Sequence, residues 1–403
     1  MGDPYDLAAD GVSIEDEIAR AAANGVESIR FPVYWSKIQP YSSMDSVPVS
    51  KASEFTADSI GGAPFNFTLL DRFVGAAASK RIILIPTLLG APSWAADRGY
   101  PTSAATNALH MPVPADYGQF GHFAAELSSR YGPTGSFWAA HPSTTKTPIT
   151  TWQIWNEPNF SYYWPQHAGE MQNITVLVRN KPTVKSVANL YFAPTYLGLV
   201  KQSRTAIRAV DPKAKIMLAS MANSDRTTRT PTSYQWVDLG FIYKAGGKGL
   251  FDIVAANLFT ASPMNLMAYL GWYRSAMKTG GDSKLPITVT EMSWSGSLGS
   301  IPDTNKMYSL VVSPQAQAAN MSYSLAAFAK AQKSSVLTGA FWHTWDTGYS
   351  DITDVWDWSG LVKRTPGSST VTPLSLLTSY KNAAFKLQGT CKRKVLATDC
   401  LKR

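Results

Sequence analysis

ITTWQIWNE, residues 149–157, is a short β-prone run that is apolar on both faces and ends in an amide and a carboxylate. A strand with one wet face alternates apolar and polar residues. This run does not, and so reads as a parallel strand covered on both sides. Most of six further runs share that character: GVESIRFPVYW (25–35), RIILIPTLL (81–89), AKIMLAS (214–220), FDIVAANLF (251–259), PITVTE (286–291) and LTGAFWHTW (337–345). Helical segments fall between them: IEDEIARAAAN (14–24), FTLLDRFVGAAAS (67–79), ADYGQFGHFAAELSSRY (115–131), APTYLGLVKQSRTAIRAV (193–210), SYQWVDLGFIYKA (233–245) and SPQAQAANMSYSLAAFAKAQ (313–332). The β-α rhythm is unbroken by a linker or tandem repeat. It predicts an α/β fold, a single (β/α)8 TIM barrel over residues 1–385.

A doubly wound sheet is the alternative, but AGGKG (245–249) is neither a Walker loop nor a dinucleotide fingerprint. Seven strands are countable where a barrel of this kind has eight, and the missing one is the first. MGDPYDL (1–7) resembles the exit from a strand, so the run at 25–35 is counted as the second. The expectation is that Met1 and Gly2 are the tail of strand one and that the rest, behind an export signal, lies upstream. A short strand within residues 1–7 is the alternative.

Hydrophobic residues make up 45% of the 403 and charged residues 16%, which suits one large core and argues against disorder. Thirteen tryptophans exceed what packing needs, and flat rings with polar tips suit sugar faces. Of the +9 formal charge, over half sits in a basic tail, residues 386–403. Elsewhere Lys and Arg are scattered without a basic stripe, which excludes nucleic acid as a partner. No apolar run approaches a membrane span. The only cysteines, Cys391 and Cys400, match no zinc or thioredoxin spacing. A disulfide between them is expected, and with it a secreted or extracytoplasmic location. The acidic run Asp346, Asp351, Asp354 and Asp357 fits no EF-hand, so loop caps and sugar contacts are expected rather than a metal. The oligomeric state stays open.

Glu157 ends the fourth strand on this count and Glu291 the seventh. Active sites of such barrels lie at the C-terminal strand ends, so both carboxyl groups can face one cleft. Two carboxylates across a pocket are the minimal equipment for cleaving a glycosidic bond: one gives a proton to the leaving oxygen, the other attacks or activates water. Burial and mutual repulsion let the pair hold one proton between them. Pro158 fixes the turn and Asn156 can bond a sugar hydroxyl.

WQIWNEPN (152–159) and ITVTEMSWSG (287–296) resemble the retaining glycoside hydrolases with catalytic glutamates on strands four and seven, most closely family 39-like proteins, with family 5 next. The resemblance spans nearly the whole chain. It implies that Glu157 is the acid/base, that Asn156 contacts the 2-hydroxyl, and that Glu291 is the nucleophile. Arg30 corresponds to the second-strand arginine that keeps the nucleophile ionised, and a charge flanked by Ile29 and Phe31 needs a buried partner. Trp342 or Trp345, with Trp342 favoured, supplies the platform under the sugar. Trp35, Trp94 and the FSYYWP loop (160–165) are candidate further subsites. Asn257, a candidate sugar contact, stands on strand six where many relatives carry His before an aromatic residue, and PTLLGAP (86–92) lacks a His common after strand three. These departures leave the sugar unassigned. The expected activity is cofactor-free, retaining hydrolysis of oligo- or polysaccharide. A non-catalytic carbohydrate-binding barrel and a transglycosylase using the same glutamates are the alternatives.

Overall fold

The computed structural model describes residues 4–97, 111–160, 162–164, 172–178, 181–187, 192–222, 235–305, 307–347 and 353–388. The seven runs all become parallel strands: β1 (Ser28–Tyr34), β2 (Ile83–Leu89), β3 (Thr151–Ile154), β4 (Lys215–Met217), β5 (Val254–Asn257), β6 (Ile287–Met292) and β7 (Leu337–Trp342). They adjoin in chain order. β1 through β4 form one sheet and β5 through β7 another, and a parallel bridge from Met217 to Ile253 joins them. Helices before and between the strands cover the outside, including Ile14–Ala23, Thr68–Ser79, Tyr117–Tyr131, Phe192–Val210, Gln235–Lys244, Leu266–Thr279 and Pro314–Ala331. A single hydrophobic cluster runs through nearly all these elements. Among the described residues no helix is long and apolar enough to cross a membrane.

β1 shows why the sequence folds this way. Ile29, Phe31 and Val33 are buried, while Ser28, Arg30, Pro32 and Tyr34 alternate with them and are only half-buried. This period of two places Arg30 on the opposite side of the strand from its apolar neighbours. The helix before it, Ile14–Ala23, is capped by Ser13, which accepts from the Asp16 N–H, and acidic residues fill its first turn.

Among the described residues no strand pairs with the outer edge of β1 or of β7. The alternative of a strand within residues 1–7 is corrected for residues 4–7, because Pro4–Ala9 is helical. Met1 and Gly2 lie outside the described residues. Ile14–Ala23 is tied to the loop after β7: the Trp345 indole N–H donates to Glu17 at 3.0 Å. The last helix, Ser375–Gln388, runs three residues past the expected domain end at 385. The Gln388 side chain donates to the Gly25 carbonyl and to Glu27, fastening that helix below β1. Cys391 and Cys400 lie outside the described residues. An antiparallel hairpin, Gln172–Val178 with Lys181–Val187, interrupts the β-α rhythm and was not expected.

Candidate active site

The segment after β3 explains how Asn156 and Glu157 are aimed. Trp155 and Glu157 both take left-handed backbone angles, φ 70° and 43°. That region costs a non-glycine residue about 1 kcal/mol or more, so the surroundings must impose it. Trp155 N–H donates to Leu88 O at 2.9 Å, its indole N–H donates to Tyr163 O at 2.8 Å, and Glu157 N–H donates to Ser220 O at 3.0 Å. The strand end is thereby pinned to β2, to the loop after it, and to the segment after β4. Glu291 is aimed differently. The register of β6 slips between Val289 and Glu291 against β5, and between Val289 and Met292 against β7. Such irregularities re-aim a side chain.

Arg30 joins these two segments. Its Nη1 donates to Glu291 Oε1 at 2.7 Å, Nη2 to Asn156 Oδ1 at 2.8 Å, and Nε to Gln153 Oε1 at 2.6 Å. Arg30 and Glu291 are each about one-eighth exposed, so this is a desolvated, charge-assisted pair. Gln153 Oε1 also accepts from Thr87, and Asn156 Oδ1 also accepts from Ser220 at 3.1 Å. Asn156 Oδ1 is thus committed to two donors inside the site, which leaves its Nδ2 hydrogens for a ligand.

The cleft at this end of the strands has a volume of about 260 Å³. Its wall includes Arg30, Asn156, Tyr163, Glu291, Trp342 and His343, and it continues between β1 and β7. Glu157 is half-buried beside Asn156. Burial, and then the charge of Glu291, raise its carboxyl from the ordinary value to about 8, against the opposing pull of the Asn257 hydrogen bond and Arg30. Burial also pushes the Tyr163 hydroxyl up, aided by the charges of Glu157 and Glu291, and pushes the His343 imidazole down. One carboxyl therefore holds a proton at neutral pH while its neighbour is ion-paired with a guanidinium. That arrangement can donate a proton to one atom while presenting a carboxylate to another.

The structure brings Glu157, Glu291, Asn156, Arg30 and Trp342 together. It corrects two other expectations. Trp35 is not a sugar subsite: fully buried at the start of helix Trp35–Ile38, it stacks on Phe123, meets Trp94 and Phe120 edge-on, and donates to Gln39. Asn257 is not a sugar contact either. Fully buried, it donates through Nδ2 to Glu157 Oε1 at 2.8 Å and accepts through Oδ1 from Thr290 at 2.8 Å. Trp345 touches the cleft wall but is nearly buried and engaged with Glu17, so Trp342 is the better-placed ring, half-buried with its indole N–H on Ser359 O. Of the 160–165 loop, Phe160 and Tyr162 are exposed while Trp164 is buried. Asp354 caps the turn Val355–Trp358 and Asp346 pairs with Arg364; Asp351 lies outside the described residues. Sequence reasoning missed Gln153, Thr87 and Ser220. Gln153 had a signal, a polar residue between Trp152 and Ile154 in a strand covered on both sides.

No protein-family model matches the chain. No curated protein matches it either. Solved structures do. The β-glycosidase BGL167 superposes with a TM-score of 0.58 at 14% identity, over 93% of this chain and 85% of that one. A hyperthermophilic β-glucosidase from Pyrococcus furiosus gives 0.58 at 12% identity, over 93% and 84%. A GH39 enzyme from Xanthomonas axonopodis pv. citri gives 0.54 at 14%, over 94% and 64%. The chain has the (β/α)8 barrel fold of these glycosidases.

Proposed function

We propose that the protein is a retaining β-glycoside hydrolase that cleaves oligo- or polysaccharide by double displacement. The observation that carries this reading is the unequal pair: Glu291 is ion-paired to Arg30, while Glu157 touches no cation among the described residues and its carboxyl is pushed up by burial and by the charge of Glu291. In the first step a Glu291 oxygen bonds the anomeric carbon, the glycosidic C–O bond breaks, and the Glu157 proton passes to the leaving oxygen. In the second, Glu157, now ionised, takes a proton from water, the water oxygen bonds the anomeric carbon, and Glu291 departs. The carboxyl at about 8 suits both roles, since an acid/base group works best with a pKa near the operating pH. Asn156 Nδ2 donates to a hydroxyl beside the scissile bond, and Trp342 lies under the ring. The steps need only the two carboxyl groups and water. The fold shared with a β-glycosidase and a β-glucosidase supports the reading.

A panel of aryl β-glycosides and polysaccharides tests it. Glu291→Ala should lose turnover by several orders of magnitude, and added azide should yield a glycosyl azide of inverted configuration. Near-normal hydrolysis by both Glu291→Ala and Glu157→Ala would overturn the assignment.

A further inference from the structure

Behind Glu157 lies a chain of polar groups that starts at Thr290, a buried residue of the cleft wall. Thr290 Oγ1 is 2.8 Å from Asn257 Oδ1, and Asn257 Nδ2 is 2.8 Å from Glu157 Oε1; Thr290 and Asn257 are both buried. The Asn257 backbone is itself held. Gln235 Nε2 donates to its carbonyl, Tyr273 donates to Gln235 Oε1 at 2.8 Å, and Leu258 N–H donates to Glu291 O at 2.7 Å. A buried amide with two fixed neighbours can be placed in either of two orientations, and its partners decide which.

An ionised carboxylate only accepts hydrogen bonds. Against it Asn257 must present Nδ2, which turns Oδ1 toward Thr290 and requires the threonine hydroxyl to donate. When Glu157 is protonated on Oε2 the same two hydrogen bonds still form. The reversed amide can bond Glu157 only when Glu157 carries its proton on Oε1. A group that must alternate between acid and base is served by the first orientation in both states, with no side chain turning between steps.

We infer that Thr290 and Asn257 are positioning residues for Glu157: the threonine hydroxyl fixes the Asn257 amide, which occupies Oε1 and makes Oε2 the oxygen that carries the transferred proton. This rests on the proposed acid/base role of Glu157. Other groups that face this carboxyl are Glu291, Arg30 and Tyr163, with Tyr273 from helix Leu266–Thr279. The test leaves all of them in place.

Thr290→Val keeps the shape and removes the donor, and Thr290→Ser keeps the donor. The Glu157 carboxyl is titrated by ¹³C NMR in substrate-free protein, wild type against each variant. The valine variant frees the amide to reverse, which favours the protonated carboxyl, so its midpoint should rise while the serine variant returns to the wild-type value. Hydrolysis of a substrate with a poor leaving group should fall roughly tenfold in Thr290→Val, the worth of one neutral hydrogen bond, with much less loss on a dinitrophenyl glycoside. If valine destabilises the sheet, Thr290→Ala removes the same donor without the branch. An unchanged midpoint in Thr290→Val or Thr290→Ala, or a serine variant as shifted as the valine, overturns the inference. The titration needs no substrate, so a moved midpoint in a protein that cleaves no glycoside would refute the hydrolase reading and leave the positioning intact.

Discussion

Arg30→Met removes the cation that pairs with Glu291 and keeps most of the side-chain volume. The guanidinium makes three hydrogen bonds of 2.6–2.8 Å, to Gln153, Glu291 and Asn156, in a nearly buried setting. Breaking one partner of such a pair costs about 3–5 kcal/mol, because the other charge is stranded. For 403 residues, an unfolding entropy of about 2 cal/mol/K per residue turns this into a fall of roughly 4–6 °C in Tm. The cost should depend on pH with a definite sign. Burial without a partner penalises only the ionised carboxylate, so the cost is small in acid and full in alkali. Calorimetry of both proteins at pH 4 and pH 8 should show a small deficit at pH 4, from the donors lost to Gln153 and Asn156, and the full deficit at pH 8. An equal deficit at both would mean that Arg30 acts by packing, and the charge argument would fail.

For the raised Glu157 carboxyl, kcat/KM of the wild type should fall as pH rises through about 8, since the acid must be protonated. Glu157→Gln assayed on a dinitrophenyl glycoside should lose that alkaline limb; its persistence would assign the limb to another group. Asp238 is raised to about 8 by burial, against the 2.6 Å hydrogen bond from Asn159. Raised above its unfolded value, it destabilises the fold increasingly between about pH 4 and 8. Asp238→Asn keeps the acceptor for Asn159, so thermal unfolding should show a higher Tm at pH 8 and little change at pH 4. Trp342→Ala should raise KM more than it lowers kcat in steady-state assays, and unchanged kinetics would remove Trp342 from the sugar platform.

The strands were legible because each is a short apolar run bounded by polar loops, and all seven expected runs contain one. Helix Leu266–Thr279 was missed although Leu266, Leu270, Tyr273 and Met277 form a buried stripe at helical spacing; Gly271 and the exposed Trp272 obscure it. Glu157, Glu291 and Arg30 were legible as charges in or at the ends of apolar strands, a placement that needs a partner or a purpose. Trp35 misled because an aromatic at a strand's exit looks alike whether it faces the cleft or turns under it. The turn Trp35–Ile38 begins at that residue and sends the ring among Phe120 and Phe123. Asn257 was placed at the right strand end, yet its partner Thr290 belongs to the neighbouring strand, and cross-strand register is not written in either segment alone.

The proposed double displacement requires a covalent bond between sugar and Glu291. The most direct measurement uses the aryl β-glycoside that the panel shows to be hydrolysed, remade as its 2-deoxy-2-fluoro analogue to slow the second step, with mass spectrometry of the digested protein. One added glycosyl mass is expected on the peptide that contains Glu291, and none when Glu291→Ala is treated alike. A protein that hydrolyses the parent glycoside yet stays unlabelled and releases the inverted sugar, or one labelled at Glu157, would contradict it.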